Sequence, residues 1–176
     1  MNYGLMRKIA IFSLVYQFDD VAKELAVSIG RQIARNNGVP IGFCSGLEHW
    51  VAMGAREEGG LSIGFSLEAN KTKQLEKFST YPGIWLYNGP ERSRLRKTME
   101  ASANAAIFLA GYEVNSYLAL QKKCQFEVSG ILALAEKDLG IFREIEVEHR
   151  ILVIEHDPVQ LVQKIFKYLD ELKHAG

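Results

Sequence analysis

The stretch that decides the fold is VPIGFCSGLEHWVAMGAREEGGLSIGFS, residues 39–66. A short apolar run, Val39–Phe43, meets a small-residue turn at Cys44-Ser45-Gly46. An amphipathic stretch follows from Leu47 to about Glu58, and Gly59-Gly60 stops it before a second apolar run, 61–66. Strand, helix and strand in so short a span predict a parallel βαβ crossover. Each glycine has a mechanical use there. Gly42 and Gly46 flank the strand-to-helix turn, where a missing Cβ lets the main chain approach a ligand. The first helical turn has unpaired N–H groups, and its dipole favours an anion such as phosphate. Gly54 falls mid-helix at a cost of about 1 kcal/mol against alanine, which close packing of that helix on the sheet would offset.

The same alternation runs outward in both directions. Strands are predicted over 8–14, 39–43, 61–66, 83–87, 105–110, 130–135 and 150–154. Helices are predicted over 20–36, 47–58, 91–103, 112–123 and from Asp157-Pro158 onward. The first helix has Val21, Leu25, Ile29 and Ile33 at four-residue spacing, Asp19 or Asp20 to cap it, and Gly38 to end it. The last presents Leu161, Ile165, Tyr168, Leu169 and Leu172. Residues 67–80 are polar and aperiodic and read as a loop, and 136–149 carry no clear period. Strands apolar throughout, alternating with helices, predict an α/β fold of the Rossmann-like, doubly wound class. About seven strands form a mainly parallel sheet with helices on both faces, in a single domain over residues 1–176. Ligands of that class bind beyond the carboxyl ends of the strands.

Composition narrows the function. The 176 residues carry 21 Lys plus Arg against 21 Asp plus Glu. Zero net charge argues against bulk nucleic-acid or anionic-membrane binding by general field. Two cysteines, Cys44 and Cys124, fit a reducing compartment and offer no metal spacing. The run after Arg7-Lys8 meets Asp19-Asp20 with no small-residue cleavage site, so it reads as a buried strand. No apolar stretch has the length of a membrane span. The expectation is a cytoplasmic protein without cofactor or metal.

The string GL-x6-GA-x3-GG-x2-IG, carried by Gly46, Leu47, Gly54, Ala55, Gly59, Gly60, Ile63 and Gly64, closely resembles the nucleotide-binding segment of the LOG-type phosphoribohydrolases. These proteins, once labelled lysine decarboxylases, belong with the Smf/DprA-like proteins in a broad Rossmann-like superfamily. Ala26, Gly30 and Ala34 match that family's A…G…A helix upstream. Downstream, Arg94-Leu95-Arg96-Lys97 and Asn104–Gly111 resemble its basic pair and the strand before its PGG-x-GT-x2-E loop. The resemblance covers about residues 8–166. It implies a nucleotide or nucleotide-derived ligand on the turns at Ser45-Gly46-Leu47 and Gly111-Tyr112, with Arg94 or Arg96 as counter-charge and Ser13 on the opposite wall. It also implies a homodimer or a higher homo-oligomer.

The departures decide between binding and catalysis. Where the family has its PGG loop, this chain reads Ala110-Gly111-Tyr112-Glu113-Val114-Asn115. One glycine survives, Asn115 stands for the threonine, and no carboxylate falls in register for N-glycoside hydrolysis. The nearest acid, Glu113, lies about one helical turn early. Glu48 replaces the methionine of the family's GLM and would compete with phosphate for the same dipole. The reading is therefore binding or sensing without catalysis. The alternative is cleavage of nucleoside 5'-monophosphates using Arg96 and Glu113.

A second alternative comes from Gly42-Phe43-Cys44-Ser45-Gly46, which fits G-x-C-x-G, a nucleophile elbow found in some α/β hydrolases, with His149 or His156 as partner of Cys44. The bland alternative is an inert buried thiol. His49, His149, His156 and His174 share no ligand spacing. Trp50, Trp85, Tyr87 and Tyr112 are read first as packing residues, and second as platforms for a base.

Overall fold

The structure, a computed structural model, describes residues 6–77, 81–87, 91–111, 126–145 and 150–175, without the side chains of 92, 93, 95, 96 and 175. Seven strands form one sheet: β1 (Arg7–Ser13), β2 (Gly38–Phe43), β3 (Ile63–Ser66), β4 (Ile84–Tyr87), β5 (Ala105–Ala110), β6 (Val128–Ala133) and β7 (Ile151–Glu155). Their order is β4-β3-β2-β1-β5-β6-β7, and every pairing is parallel. The chain thus winds outward from β1 to β4, then crosses back to β5 on the other side of β1. The reversal between β1 and β5 is the switch point at which the fold opens a crevice.

Helices cover both faces. On one lie α1 (Asp20–Arg35), α2 (Gly46–Glu57) and α6 (Pro158–Ala175). Their Ile29, Ile33, Leu47, Val51, Leu161 and Ile165 pack on Ile9, Ile11, Ile107 and Leu109 of the central strands. The other face joins Phe12, Phe43, Phe65 and Phe108 to Met99 of α4 (Arg92–Ser102) and Phe142 of α5 (Leu139–Arg143). A short helix, α3 (Lys71–Lys77), and a 3-10 turn, Glu136–Asp138, complete the described elements.

Several expectations are corrected. Val21 is 62% exposed, and the buried stripe of α1 is Ala22, Ala26, Val27, Ile29, Gly30 and Ile33. A four-residue spacing drifts about 40° per step around a 3.6-residue helix, so the predicted stripe leaves the core at its first member. Asn37, not Gly38, takes the left-handed conformation after α1, at φ 60°. Gly38 opens β2, where a Cβ would lie 2.7 Å from both Ile33 and Phe166. Part of the predicted loop 67–80 is α3. Its Gln74 is buried and donates to the Cys44 carbonyl at 3.0 Å, and it pairs with Ser66. The strand expected over 130–135 begins at Val128, and the aperiodic 136–149 contains the 3-10 turn and α5. The predicted helix 112–123 lies outside the described residues.

Gly54 does not serve packing on the sheet. A Cβ there would lie 1.9 Å from the Val27 carbonyl oxygen of α1. Gly30 of α1 is its counterpart, with a Cβ 1.9 Å from the Val51 carbonyl oxygen of α2. The two glycines let α1 and α2 touch backbone to backbone.

Candidate functional site

Two hollows open at the carboxyl ends of the central strands. The larger, about 470 Å³, is lined by Val15, Phe18, Asp19, Gly111, Leu134 and Lys137, among others. It lies at the switch point, between the ends of β1, β5 and β6 and the start of α1. The smaller, about 230 Å³, is lined by Ser13, Val15, Tyr16, Phe43, Ser45, Gly46 and Glu48, at the ends of β1 and β2 and the start of α2. Val15 and Tyr16 line both and form the ridge between them. Tyr16 is 92% exposed there.

Local chemistry sets the walls. Asp19 is the N-cap of α1 and accepts from the Ala22 N–H at 2.9 Å, which answers one orphan donor of that helix with the protein's own carboxylate. Ser45 is the N-cap of α2, but its side chain makes no capping bond. Gly46 is left-handed at φ 64°, a conformation that favours glycine. The Glu48 side chain turns back under this bend and accepts from the Ser13 N–H at 2.9 Å. Gly42 makes room for it: a Cβ on Gly42 would lie 2.9 Å from the Cβ of Glu48. The space that Gly42 vacates is therefore filled by Glu48 and not left to a ligand. The Ser13 hydroxyl donates to the Val15 carbonyl at 3.0 Å, bracing the ridge.

The residues expected at the site divide three ways. Ser13, Ser45 and Gly46 line the smaller hollow, and Gly111 the larger. Leu47 is fully buried in the core beneath. Arg94 is exposed on the first turn of α4 and lines neither hollow. Tyr112, Glu113 and the side chain of Arg96 lie outside the described residues. Sequence reading missed Tyr16, Asp19 as a wall and Lys137. It also missed a signal for Glu48: Ser45-Gly46-Leu47-Glu48 fits the S-x-x-E spacing of a helix start.

The elbow reading of Cys44 fails on geometry. The thiol is buried beneath Ala52 and Tyr81, and burial pushes its pKa up to about 12, so it is not a thiolate near neutrality. His156 follows β7, four strands from β2 and thus about 19 Å away, and its Nδ1 meets the Ala133 carbonyl at 2.7 Å. His149 lies outside the described residues. Trp85 and Tyr87 line a separate cleft on the edge strand with Lys71, Tyr81 and Gly83. Trp50 packs against the core with the Lys23 ammonium over its ring. Among the described residues no group of three His, Cys, Asp or Glu could hold a metal ion, and no helix is long and apolar enough to cross a membrane.

An all-parallel sheet with hollows at its switch point defines a Rossmann-like protein whose architecture suits a small ligand. Among solved structures, the molybdenum cofactor carrier protein of Chlamydomonas reinhardtii superposes over 94% of this chain and 99% of its own, at 17% identity and TM-score 0.67. The molybdenum cofactor binding protein of the phototrophic bacterium Rippkaea orientalis covers 93% and 98%, at 16% identity and TM-score 0.65. DNA processing protein A (DprA) of Streptococcus pneumoniae matches 90% of this chain and 61% of its own, at 15% identity and TM-score 0.55. At these identities the likeness is one of fold, the Rossmann-like fold. No protein-family model and no curated protein matches the sequence.

Proposed function

We propose that this protein binds a nucleotide or nucleotide-derived small molecule at the switch point and carries or senses it without catalysis. The observation that carries the reading is the pair of adjoining hollows, about 470 and 230 Å³, meeting at the Val15–Tyr16 ridge. Taken together they have the size of an ordinary ligand site. Lys137 and Gly111 serve the phosphate end, and the exposed Tyr16 ring gives a base a stacking surface. Ser13, Ser45 and Gly46 form the other wall.

Absence of chemistry is supported by the acids and the thiol. Asp19 and Glu48 hold main-chain N–H groups of the fold, and Cys44 is buried. The matching folds include a cofactor carrier, which supports carriage over turnover. On the glycine string we group the chain with the LOG-type proteins as a divergent member, and as a homodimer.

Native mass spectrometry of the purified protein is the test, with molybdenum analysis of the same sample to separate the cargo of the carrier proteins from a plain nucleotide. A co-purified small molecule on a dimer is the expected result. A thermal-shift panel of nucleotides should raise the melting temperature. A flat panel with no bound molecule overturns the reading, and release of free base from nucleoside monophosphates replaces it with hydrolysis.

A further inference from the structure

The larger hollow has a charge that does not suit a bare phosphate. Its lining carries two carboxylates, Asp19 and Asp138, against one ammonium, Lys137. Asp19 is committed to the fold, since one of its oxygens accepts from the Ala22 N–H. Asp138 is not. It stands in the 3-10 turn after β6, and that loop is pinned beside the end of β5 by the Leu134 N–H, which donates to the Ala110 carbonyl at 2.8 Å. The residue is only 8% exposed. Its own N–H donates to the Ala135 carbonyl at 3.0 Å. Its side chain makes no capping bond to α5 and, among the described residues, has no hydrogen-bond or ion-pair partner, neighbouring Lys137 included. A buried carboxylate is costly unless it is paired or hydrogen-bonded. One left without a partner in a crevice calls for something to meet it there, such as an ion.

We propose that Asp138 holds a divalent cation in the larger hollow, and that this cation joins it to the phosphate of the ligand. The inference rests on the small-molecule reading above and deepens it: the ligand is taken as its complex with a magnesium-type ion, not as a free anion. Mg²⁺ takes oxygen ligands and is commonly held by one or two carboxylates together with phosphate oxygens and water. Among the described residues no three ligating side chains converge, so the protein builds no complete cage, and the remaining ligands come from the phosphate and from solvent. The charges then balance. The cation offsets the two carboxylates, Lys137 keeps its ammonium for another phosphate oxygen, and Asp138 gains the partner that its burial requires. An amine-bearing ligand would also answer a free carboxylate, but it would set a like charge beside Lys137.

Calorimetric titration of the full chain is the test. The probes are AMP and GMP, each in MgCl₂ and in EDTA, beside adenosine and guanosine, which lack the phosphate. In the wild type, Mg²⁺ should tighten the nucleotides by about tenfold or more, within the range of coupling between two bound groups, and leave the nucleosides unchanged. Such coupling is reciprocal, so Mn²⁺ followed by electron paramagnetic resonance should bind more tightly to the nucleotide-loaded protein than to the empty one. Asp138→Asn keeps the shape and removes the charge. The carboxylate makes no bond in the fold, so the melting temperature of this variant should stay at or above that of the wild type. Its nucleotide binding should be the same with and without Mg²⁺. If the wild type binds any of these probes and Mg²⁺ does not tighten a nucleotide beyond its nucleoside, this inference is overturned and the functional reading stands. The same follows if Asp138→Asn folds and keeps the cation dependence. The wild-type series decides the matter if Asp138→Asn does not fold. If no probe binds the wild type with or without Mg²⁺, both fall.

Discussion

Replacing Gly54 with alanine tests the architecture that holds the site open. On a bare helix the change should stabilise by about 1 kcal/mol. In this structure the new methyl would stand 1.9 Å from the Val27 carbonyl oxygen and 2.7 Å from its carbon. Ordinary contact begins at 3.4 Å, so α1 and α2 must part by about 1.5 Å, the difference between those distances. Both obstructing atoms are main chain, and no rotamer change relieves them. Parting the helices loosens Ala26, Ile29, Val51 and Ala55, all fully buried. Overpacking of this kind costs about 1–3 kcal/mol, sometimes more, and the rigid obstruction argues for the upper end. Subtracting the propensity gain leaves a net loss of about 2 kcal/mol. For a chain of this size that is roughly 4–8 °C in melting temperature. Urea unfolding followed by circular dichroism should show a lower midpoint with an unchanged slope. Gly30→Ala should behave alike, and the double variant should lose less than the sum, because parted helices admit the second methyl. A Gly54→Ala protein as stable as the wild type would refute the backbone contact and return this glycine to a mere propensity defect. The starts of α1 and α2 wall the two hollows, so the same variant should weaken the small-molecule binding proposed above.

Asp19→Ala removes the cap of α1 and should cost about 1 kcal/mol in urea unfolding, while Asp19→Asn, which keeps a capping oxygen, should cost less. The Cys44 thiol, pushed up to about 12 by burial, should resist iodoacetamide at pH 8 in the folded chain and react once unfolded. The sign for stability follows: the unfolded thiol ionises from about 9.0 while the folded one stays protonated, so its contribution is full below 9.0 and lost as pH climbs toward 12. Cys44→Ala should flatten that alkaline decline in a pH series of urea midpoints. Tyr16→Ala, at an exposed position, should leave the melting temperature within about 1 °C yet weaken binding of any aromatic nucleotide found to bind, by roughly fivefold or more, since a stacked ring contributes at least about 1 kcal/mol.

The central strands were legible because they are buried on both faces and so are largely apolar, as in Ala105–Ala110, while Ser129 near the start of the equally buried Val128–Ala133 hid its first two residues. Elements anchored by polar contacts were not. The helix α3 has one buried side chain, and it is a glutamine. Its stability comes from Gln74 bonding the Cys44 carbonyl, a pairing that no hydrophobic period records. The stripe of α1 was misjudged for a related reason. Its close contact with α2 is made at Gly30 and at the Val27 backbone, where no large side chain marks the approach, while the conspicuous Val21 points to solvent.

The site shows the same limit more sharply. A glycine in a sequence announces that something stands where a side chain would be, and does not name the occupant. At Gly54 the occupant is the backbone of α1, at Gly42 it is the stem of Glu48, and at Gly38 it is Ile33 and Phe166. Sequence reading assigned the turn at Gly42 and Gly46 to a phosphate because the fold class commonly uses such turns that way. The clue to the contrary stood two residues further on. An acid at the third helical position stabilises the helix start by itself and removes the reason for an external anion there. On the binding reading proposed above, a phosphate belongs instead on the Gly111 side of the crevice, where Lys137 stands.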